Sequence, residues 1–484
     1  MTKHDHISAA GTAMRHQAGK PLGRRDFLGR TAAAGGLAGL GLWARLCHGE
    51  TPSSLIEAGQ GTVDITPPLG IEMAGFHRAP GNERRITGIR QSTAARALVL
   101  KQGDARVAIV SLDVCGVSPA FADEVGRRAA GKTGIPASNV RVCATHTHSM
   151  PTFRYFRQWG AISPDYMAAV QQKVVEAIEK AKADLAPARV LLGRQRVVGG
   201  NFNRTTSTWK TDAEFDENST DNDRWLDTML HALRFERSAG KQDLLWYQFS
   251  AHPVCYTDGN AGPDWPGIVA ETARAKNLPD PSYLQGHAGD VNPGDGKPWL
   301  GVPERVAEAV STGLAGALDQ AQPVTIDAVR VRTARIELPL DIPLFRARLE
   351  QYRNDPSKCT GGSYVDARFA ADWAESAAKR DLSQTTLAVR ISALQLGSVG
   401  FLFHPAELYS CYGLAIRRDS PLEHTLVVGY TDDIIGYLPD PNAYKRGEYA
   451  ALTVPGILDL PPFTPEAGRT LAAEANKLLR ETAG

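Results

Sequence analysis

Four short apolar runs in this chain break abruptly into polar segments that carry histidine. Val140 to Ala144 runs into Thr145-His146-Thr147-His148-Ser149, and Leu244 to Phe249 into Ser250-Ala251-His252-Pro253. Tyr283 to Gln285 runs into Gly286-His287-Ala288-Gly289-Asp290-Val291-Asn292-Pro293, and Val399 to Phe403 into His404-Pro405-Ala406-Glu407. Apolar runs this short, bounded by turn residues, read as strands. Polar residues at the carboxyl ends of strands lie where α/β sheets bind ligands. A single histidine so placed is usually a satisfied structural residue; the repetition predicts one convergent site.

The remaining pattern alternates strands with helices. Ala97 to Leu100 and Val107 to Leu112 read as strands around Gly103-Asp104. Ser118-Pro119 opens a helix that should end near Gly131, and Ser163-Pro164 a longer one reaching Leu185, with Val170, Val174, Ile178 and Ala181 on one face. Val190 to Val198 and Leu233 to Phe235 are further strands, the latter joined to Leu244–Phe249 by a Ser-Ala-Gly-Lys turn. Val302 to Leu318 and Leu408 to Arg418 read as helices, Leu387 to Leu396 with Val399 to Phe403 as a hairpin, and Thr425 to Gly429 as a strand. The expected class is α/β, with mixed sheets, helices packed around them and a metal site at the strand ends. Gly199 to Arg224 is polar; its acidic residues Asp212, Glu214, Asp216, Glu217, Asp221 and Asp223 repeat no calcium-ligand spacing and read as a solvated loop.

The amino terminus stands apart. Arg24-Arg25 precedes Asp26-Phe27-Leu28, and an apolar, Gly-rich stretch from Thr31 to Ala44 follows. This is the twin-arginine signal pattern, and the stretch is shorter than the roughly 20 residues of a bilayer span. Residues 1–50 are therefore assigned to a signal peptide and linker and 51–484 to the catalytic domain, with a periplasmic or secreted destination and the twin-arginine export machinery as a partner. Residues 1–50 carry seven Lys/Arg against three Asp/Glu. The whole chain is at +1, so the body stands near −3, which gives no electrostatic reason for nucleic-acid binding. Six cysteines include no C-x-x-C pair; sequence assigns no disulfide, and Cys115 and Cys143, in or beside apolar strands, read as buried thiols.

One pattern is a decoy. Gly126 to Thr133 spells a formal P-loop, G-R-R-A-A-G-K-T, but a helix precedes it and Thr-Gly-Ile-Pro follows, so Gly131 reads as a helix end. Neither H-E-x-x-H nor G-x-S-x-G occurs.

Taken in order, Ala58-Gly59, Asp64-Ile65-Thr66-Pro67-Pro68, Gly75-Phe76, Ser111-Leu112-Asp113, Thr145-His146-Thr147-His148-Ser149, Asn203-Arg204, Phe249 to Pro253, Gly289-Asp290-Val291, Pro405-Ala406-Glu407 and Gly436-Tyr437 resemble the neutral, non-lysosomal ceramidases over about residues 55 to 455. The resemblance implies one zinc per chain, held by His146, His252, Glu407 and Tyr437, with Tyr444 and Tyr449 as other alignments of the tyrosine. It implies that His148 contacts substrate beside the metal and that Arg204 lies at the scissile group. It further implies metal-assisted amide hydrolysis: zinc lowers the pKa of its water toward about 7, His148 moves protons, and Arg204 and Tyr437 stabilise the oxyanion. Asp290 would orient a ligand histidine and Asn292 would position water or the acyl carbonyl. His287 and His404 are taken as structural or as supports for a ligand, and His77, His231 and His424 as ordinary.

Two departures bear on substrate. Asn292 stands where the family has serine, and an amide side chain hydrogen-bonds but is no nucleophile. The chain ends soon after the tyrosine-rich segment, so no C-terminal immunoglobulin-like domain is expected. The expected partner is a small N-acyl or lipid-like molecule, with room for transient contact with a membrane surface. Rival readings are a zinc hydrolase of an ester, lactone or other small amide, and a non-catalytic binding protein that retains the pocket.

Overall fold

Gly59 and Gly61 allow a strand and a helix to meet backbone to backbone. A Cβ on Gly59 would stand 2.2 Å from the carbonyl oxygen of Ala181, and one on Gly61 2.1 Å from that of Ala177. The strand is β1 (Ile56–Asp64) and the helix α2 (Pro164–Ala183). The computed structural model describes residues 56–238, 240–355 and 367–484; the twin-arginine segment, Cys47 and Cys359 lie outside them. Two glycines in nine residues mask the apolar pattern of β1, which is why sequence reading found a motif there and not a strand.

β1 sits inside a large mixed sheet. Its other main strands are β2 (Ala94–Gln102), β3 (Ala105–Leu112), β4 (Val140–Ala144), β5 (Ala186–Arg196), β6 (Met229–Arg237), β7 (Leu244–Phe249) and β8 (Pro281–Gln285). Their order is β8-β7-β6-β5-β1-β2-β3-β4. Hairpin neighbours pair antiparallel, whereas β7 with β8 and β3 with β4 are parallel. Parallel pairing needs a crossover, and α1 (Pro119–Thr133) and α3 (Trp265–Ala275) supply the two. A second sheet, β9 (Val329–Pro339), β10 (Thr386–Leu396), β11 (Val399–Phe403) and β12 (His424–Val428), packs on the first through a shared apolar core that includes Leu98, Ile109, Trp246, Leu394 and Phe401. α1, α2 and α4 (Pro303–Asp319) cover the outer face of the first sheet, and α6 (Ala467–Ala483) that of the second. The expected mixed α/β class is borne out.

Local signals explain most boundaries. Ser118 Oγ accepts a hydrogen bond from the Phe121 amide at the start of α1, with Pro119 in first position. The expected stop at Gly131 is corrected: Gly131 lies within α1, and Gly134, at φ 70°, ends it. The P-loop decoy, Gly126 to Thr133, thus lies wholly within one continuous helix. α2 buries Val170, Val174, Ile178 and Ala181, as the 3.6-residue spacing predicts; each Val or Ile contributes about 1.5–3 kcal/mol. It stops at Ala183, with Asp184 after it, short of Leu185.

The 199–224 segment differs from a plain solvated loop. Asn201–Asn203 pairs with Val291–Pro293, and Asp221 is buried against Arg469 and Tyr412. The helix expected from Leu408 begins at Ser410 (α5, Ser410–Arg418), because Glu407–Leu408 is a short strand. Cys115, Cys143, Cys255 and Cys411 are free thiols.

Candidate active site

The two sheets meet where β12 ends. The Ala144 amide donates to the Tyr430 carbonyl at 3.0 Å, and the Asp432 amide to the Val142 carbonyl at 2.8 Å. Arg141 clamps this seam, donating to Asp432 at 2.6 Å with both side chains buried. The polar segments after β4, β7, β8, β11 and β12 therefore converge, as the strand-end pattern predicts.

β4 stops at Ala144, and the chain turns through His146 at φ 63°, a left-handed conformation that costs an L-residue about 1–2 kcal/mol. This turn, not strand alternation, brings the His146 and His148 rings together, Nε2 to Nε2 at 3.3 Å. Gly75 makes room. At φ 94°, a Cβ there would lie 2.3 Å from the His148 ring. Phe76 then sets its edge against the same ring, centroids 5.1 Å apart.

His146 and His252 are oriented alike. His146 Nδ1 donates to the Cys115 carbonyl at 2.7 Å, and His252 Nδ1 to the Val291 carbonyl at 2.8 Å. This network assigns the Nδ1–H tautomer to both and leaves each Nε2 lone pair as an acceptor, the Nε2 of His146 also lying 3.3 Å from His148 Nε2. Those lone pairs point at one carboxylate, with Glu407 Oε2 3.5 Å from His146 Nε2 and 3.4 Å from His252 Nε2. Burial holds His146 down to about 4 against the opposing pull of Glu407, and holds His148 and His252 well below the ordinary histidine range. Three neutral rings and a carboxylate thus share a buried cluster in which the Nε2 of His252 has no hydrogen-bond partner. Acceptor facing acceptor in a dry site is unfavourable unless a cation sits between them. The ligand atoms of His146, His252 and Glu407 lie within 4.8 Å of one another, a donor set that fits zinc.

Tyr437 pairs with Glu407 in register across a parallel ladder of Glu407–Leu408 and Tyr437–Leu438. Its hydroxyl meets Glu407 and accepts from Arg204 Nη2 at 2.6 Å. The other tyrosines do not stand in its place: Tyr444 donates toward the Thr464 carbonyl at 3.3 Å, and Tyr449 sets its ring 6.3 Å from that of Tyr437. Burial works against the Arg204 charge, but Tyr437 and Glu407 hold its pKa above the ordinary value. Burial, opposed by Arg204, raises the Tyr437 phenol above its usual range, so it remains a proton donor.

Asp290 occupies a different place from the one expected, and Asn292 has defined partners. Asn292 Oδ1 accepts from Arg204 Nη1 at 3.1 Å, and its Nδ2 donates to the Trp299 carbonyl at 2.9 Å, so its amide braces the arginine. Asp290 accepts from Asn203 and from the Ser410 amide and hydroxyl at 2.8–2.9 Å, while backbone carbonyls orient both histidines. It anchors the start of α5 and does not steer a ligand. His287 lies 3.0 Å from Asp227, and His404 Nδ1 accepts from the Ala406 amide.

Sequence reading missed Tyr430, which stacks on His146 at 4.3 Å; it follows β12 directly, and the strand-end rule would have found it. It also missed the mouth of the site, where Phe156, Trp159, Val454, Ile457 and Leu458 form an apolar wall opposite His146, His148 and Glu407. Those residues carry no local signature.

Comparison with known proteins agrees with this geometry. The family described as neutral/alkaline non-lysosomal ceramidase, N-terminal, matches residues 56–262, which include His146, His148, Arg204 and His252. The neutral ceramidase of Mycobacterium tuberculosis (strain H37Rv) is 26% identical over 263 residues, covering 49% of this chain and 40% of that protein. The neutral ceramidase of Drosophila melanogaster is 28% identical over 193 residues, covering 38% and 27%. This chain thus matches less than half the length of these relatives. The crystal structure of neutral ceramidase from Pseudomonas aeruginosa has a TM-score of 0.66 at 20% identity, covering 88% of this chain and 74% of that one, which establishes a shared fold. The resemblance read from the sequence is borne out.

Proposed function

We propose, from this chain's likeness to the neutral/alkaline ceramidases, that it is a zinc-dependent hydrolase of an N-acyl amide. The observation that carries the reading is the buried set of two Nε2 lone pairs and one carboxylate converging without a donor among them. His146, His252, Glu407 and Tyr437 would hold one zinc per chain, which would supply Lewis acidity toward the amide carbonyl and acidify a water toward about pKa 7. The protein's own groups do the rest. Neutral His148 accepts a proton at its Nε2 and returns it to the leaving nitrogen. Arg204 and the Tyr437 hydroxyl offer donors to the oxygen that becomes negative. Asn292 and the Gly289 carbonyl hold Arg204 in place, the latter at 2.9 Å. The apolar wall of Phe156, Trp159 and Leu458 excludes water and receives the acyl group.

Asn292 gives the second reading its footing. With an amide where the family has serine, the site suits a small amide, ester or lactone as well as ceramide. A binding protein that retains the pocket has no use for the His148 proton acceptor beside the metal ligands. The twin-arginine segment supports export to the periplasm or medium. Among the described residues, no helix is long and apolar enough to cross a membrane.

Elemental analysis of the purified protein, with hydrolysis of matched amide, ester and lactone panels, tests the reading. About one equivalent of zinc and metal-dependent amide cleavage are expected. A metal-free enzyme that is fully active overturns zinc dependence, and a zinc-loaded protein inert on every panel member overturns catalysis.

A further inference from the structure

A second pocket adjoins the first. Met73, Phe76, Arg78, Arg84, Tyr155 and Phe156 are among its walls, and Phe156 also lines the mouth of the catalytic cluster. Phe76 connects the two, with its ring edge-on to His148 and the Arg84 guanidinium 4.8 Å above it. Arg84 itself donates to the backbone carbonyls of His148 and Ala74.

The charges in this second pocket do not close. Arg84 is only 8% exposed, and among the described residues its Nε and Nη1 have no hydrogen-bond partner and no carboxylate pairs with it. Arg78, half-buried, donates to its neighbour's carbonyl, the His77 oxygen, at 2.8 Å and, among the described residues, likewise forms no ion pair. Two acids line the same pocket, but both are already engaged. Glu72 pairs with Arg85 at 3.1 Å and accepts the Ala161 amide; Glu83 accepts the Gly81 amide and lies 3.7 Å from Arg85. Burial, and then the neighbouring Arg78, pull the Arg84 pKa down to about 10, against an opposing pull from Asp258 and Asp264. An uncompensated buried guanidinium is costly unless an anion arrives to meet it.

We propose that Arg78 and Arg84 form an anion subsite beside the catalytic cluster, and that the substrate is an N-acylated amino acid whose carboxylate binds there. This rests on the amidase reading and names the substrate class for it. Because Arg84 grips the backbone of His148, the subsite lies within a residue's span of the proposed proton carrier. In an N-acylated amino acid the carboxylate stands one carbon from the amide nitrogen, the short span that this adjacency calls for. Met73, Phe76 and Phe156 give the amino-acid side chain an apolar bed.

The test compares N-dodecanoyl-L-alanine, N-dodecanoyl ethanolamine and the phosphate ester of the latter. Calorimetry gives their affinities for the purified holoenzyme, and product analysis their hydrolysis. The acid should bind about tenfold tighter than the neutral amide, or better, and high salt should erode the difference. Arg78→Ala and Arg84→Met should bring that ratio toward one, whereas Arg127→Ala, an exposed arginine paired with Glu124, should preserve it. If Arg84→Met does not fold, Arg78→Ala decides alone. Equal affinity for acid and neutral amide, or an unchanged ratio in Arg78→Ala, overturns the subsite; preference for the phosphate overturns the amino-acid substrate class. Selective binding of the acid without cleavage overturns the amidase reading and leaves the subsite standing.

Discussion

Glu407 and Tyr437 are direct partners across a two-residue parallel ladder, with the Glu407 amide donating to the Gly436 carbonyl at 2.9 Å. Thirty residues apart in sequence, they present a carboxylate and a phenol to one point. Tyr437→Phe keeps the ladder and the ring and removes only the hydroxyl. It should lower kcat by about 10²-fold through the lost oxyanion donor, with metal content largely retained. Glu407→Ala should release the metal. Equal metal loss in both variants would make Tyr437 an essential ligand and nothing more.

His252 holds its place through the Val291 carbonyl and offers Nε2 alone. His252→Ala should take zinc from about one equivalent to a small fraction and lower thermal stability in zinc buffer, because binding free energy is folding free energy. A variant that still holds a full equivalent would place the metal elsewhere.

Asn292 braces Arg204, and a hydrogen bond to a charged group is worth about 1.5–3 kcal/mol. Asn292→Ala should therefore cost about tenfold or more in kcat/KM, with metal content unchanged. Because Asn292 is no nucleophile, rapid-quench mass spectrometry on a slow substrate should find no acyl adduct. An adduct on any side chain would refute direct attack by water.

Asp227 is fully buried, gripped by Arg417 at 2.7 and 3.0 Å and facing His287. Burial alone would raise its pKa, but Arg417 and His287 drive it far below the carboxylate range. A depressed folded pKa means the pair's stability is fully present above the unfolded value near 4 and is lost only as pH falls through the folded value. Asp227→Asn should cost about 3–5 kcal/mol at pH 7 by stranding Arg417. The gap from wild type, followed by urea melts, should narrow steadily below about pH 4. A gap that is constant down to pH 2 would dismiss the ion pair as its source.

Arg24 and Arg25 carry the export assignment. Replacing both with lysine should retain the folded protein in the cytoplasm. An undiminished periplasmic yield on cell fractionation would refute that route.

The strand ends were legible because chemistry and periodicity coincide there: an apolar run specifies a buried strand, and a sudden histidine at its end has few other uses. His146, His148, His252 and Glu407 could be named on that basis together with the resemblance, and so could the mixed α/β class. β1 could not, because its glycines exist for a helix 120 residues away, a contact with no local trace. The same holds for the left-handed turn at His146, which no strand rule anticipates, and for Asp290, which serves α5 and not a ligand. Which imidazole nitrogen is free, which tyrosine meets Glu407 and which arginine lacks a counter-ion depend on backbone carbonyls and neighbours brought in by folding. A sequence records which groups a chain owns; only packing decides which of them remain unsatisfied, and unsatisfied groups are the ones that bind.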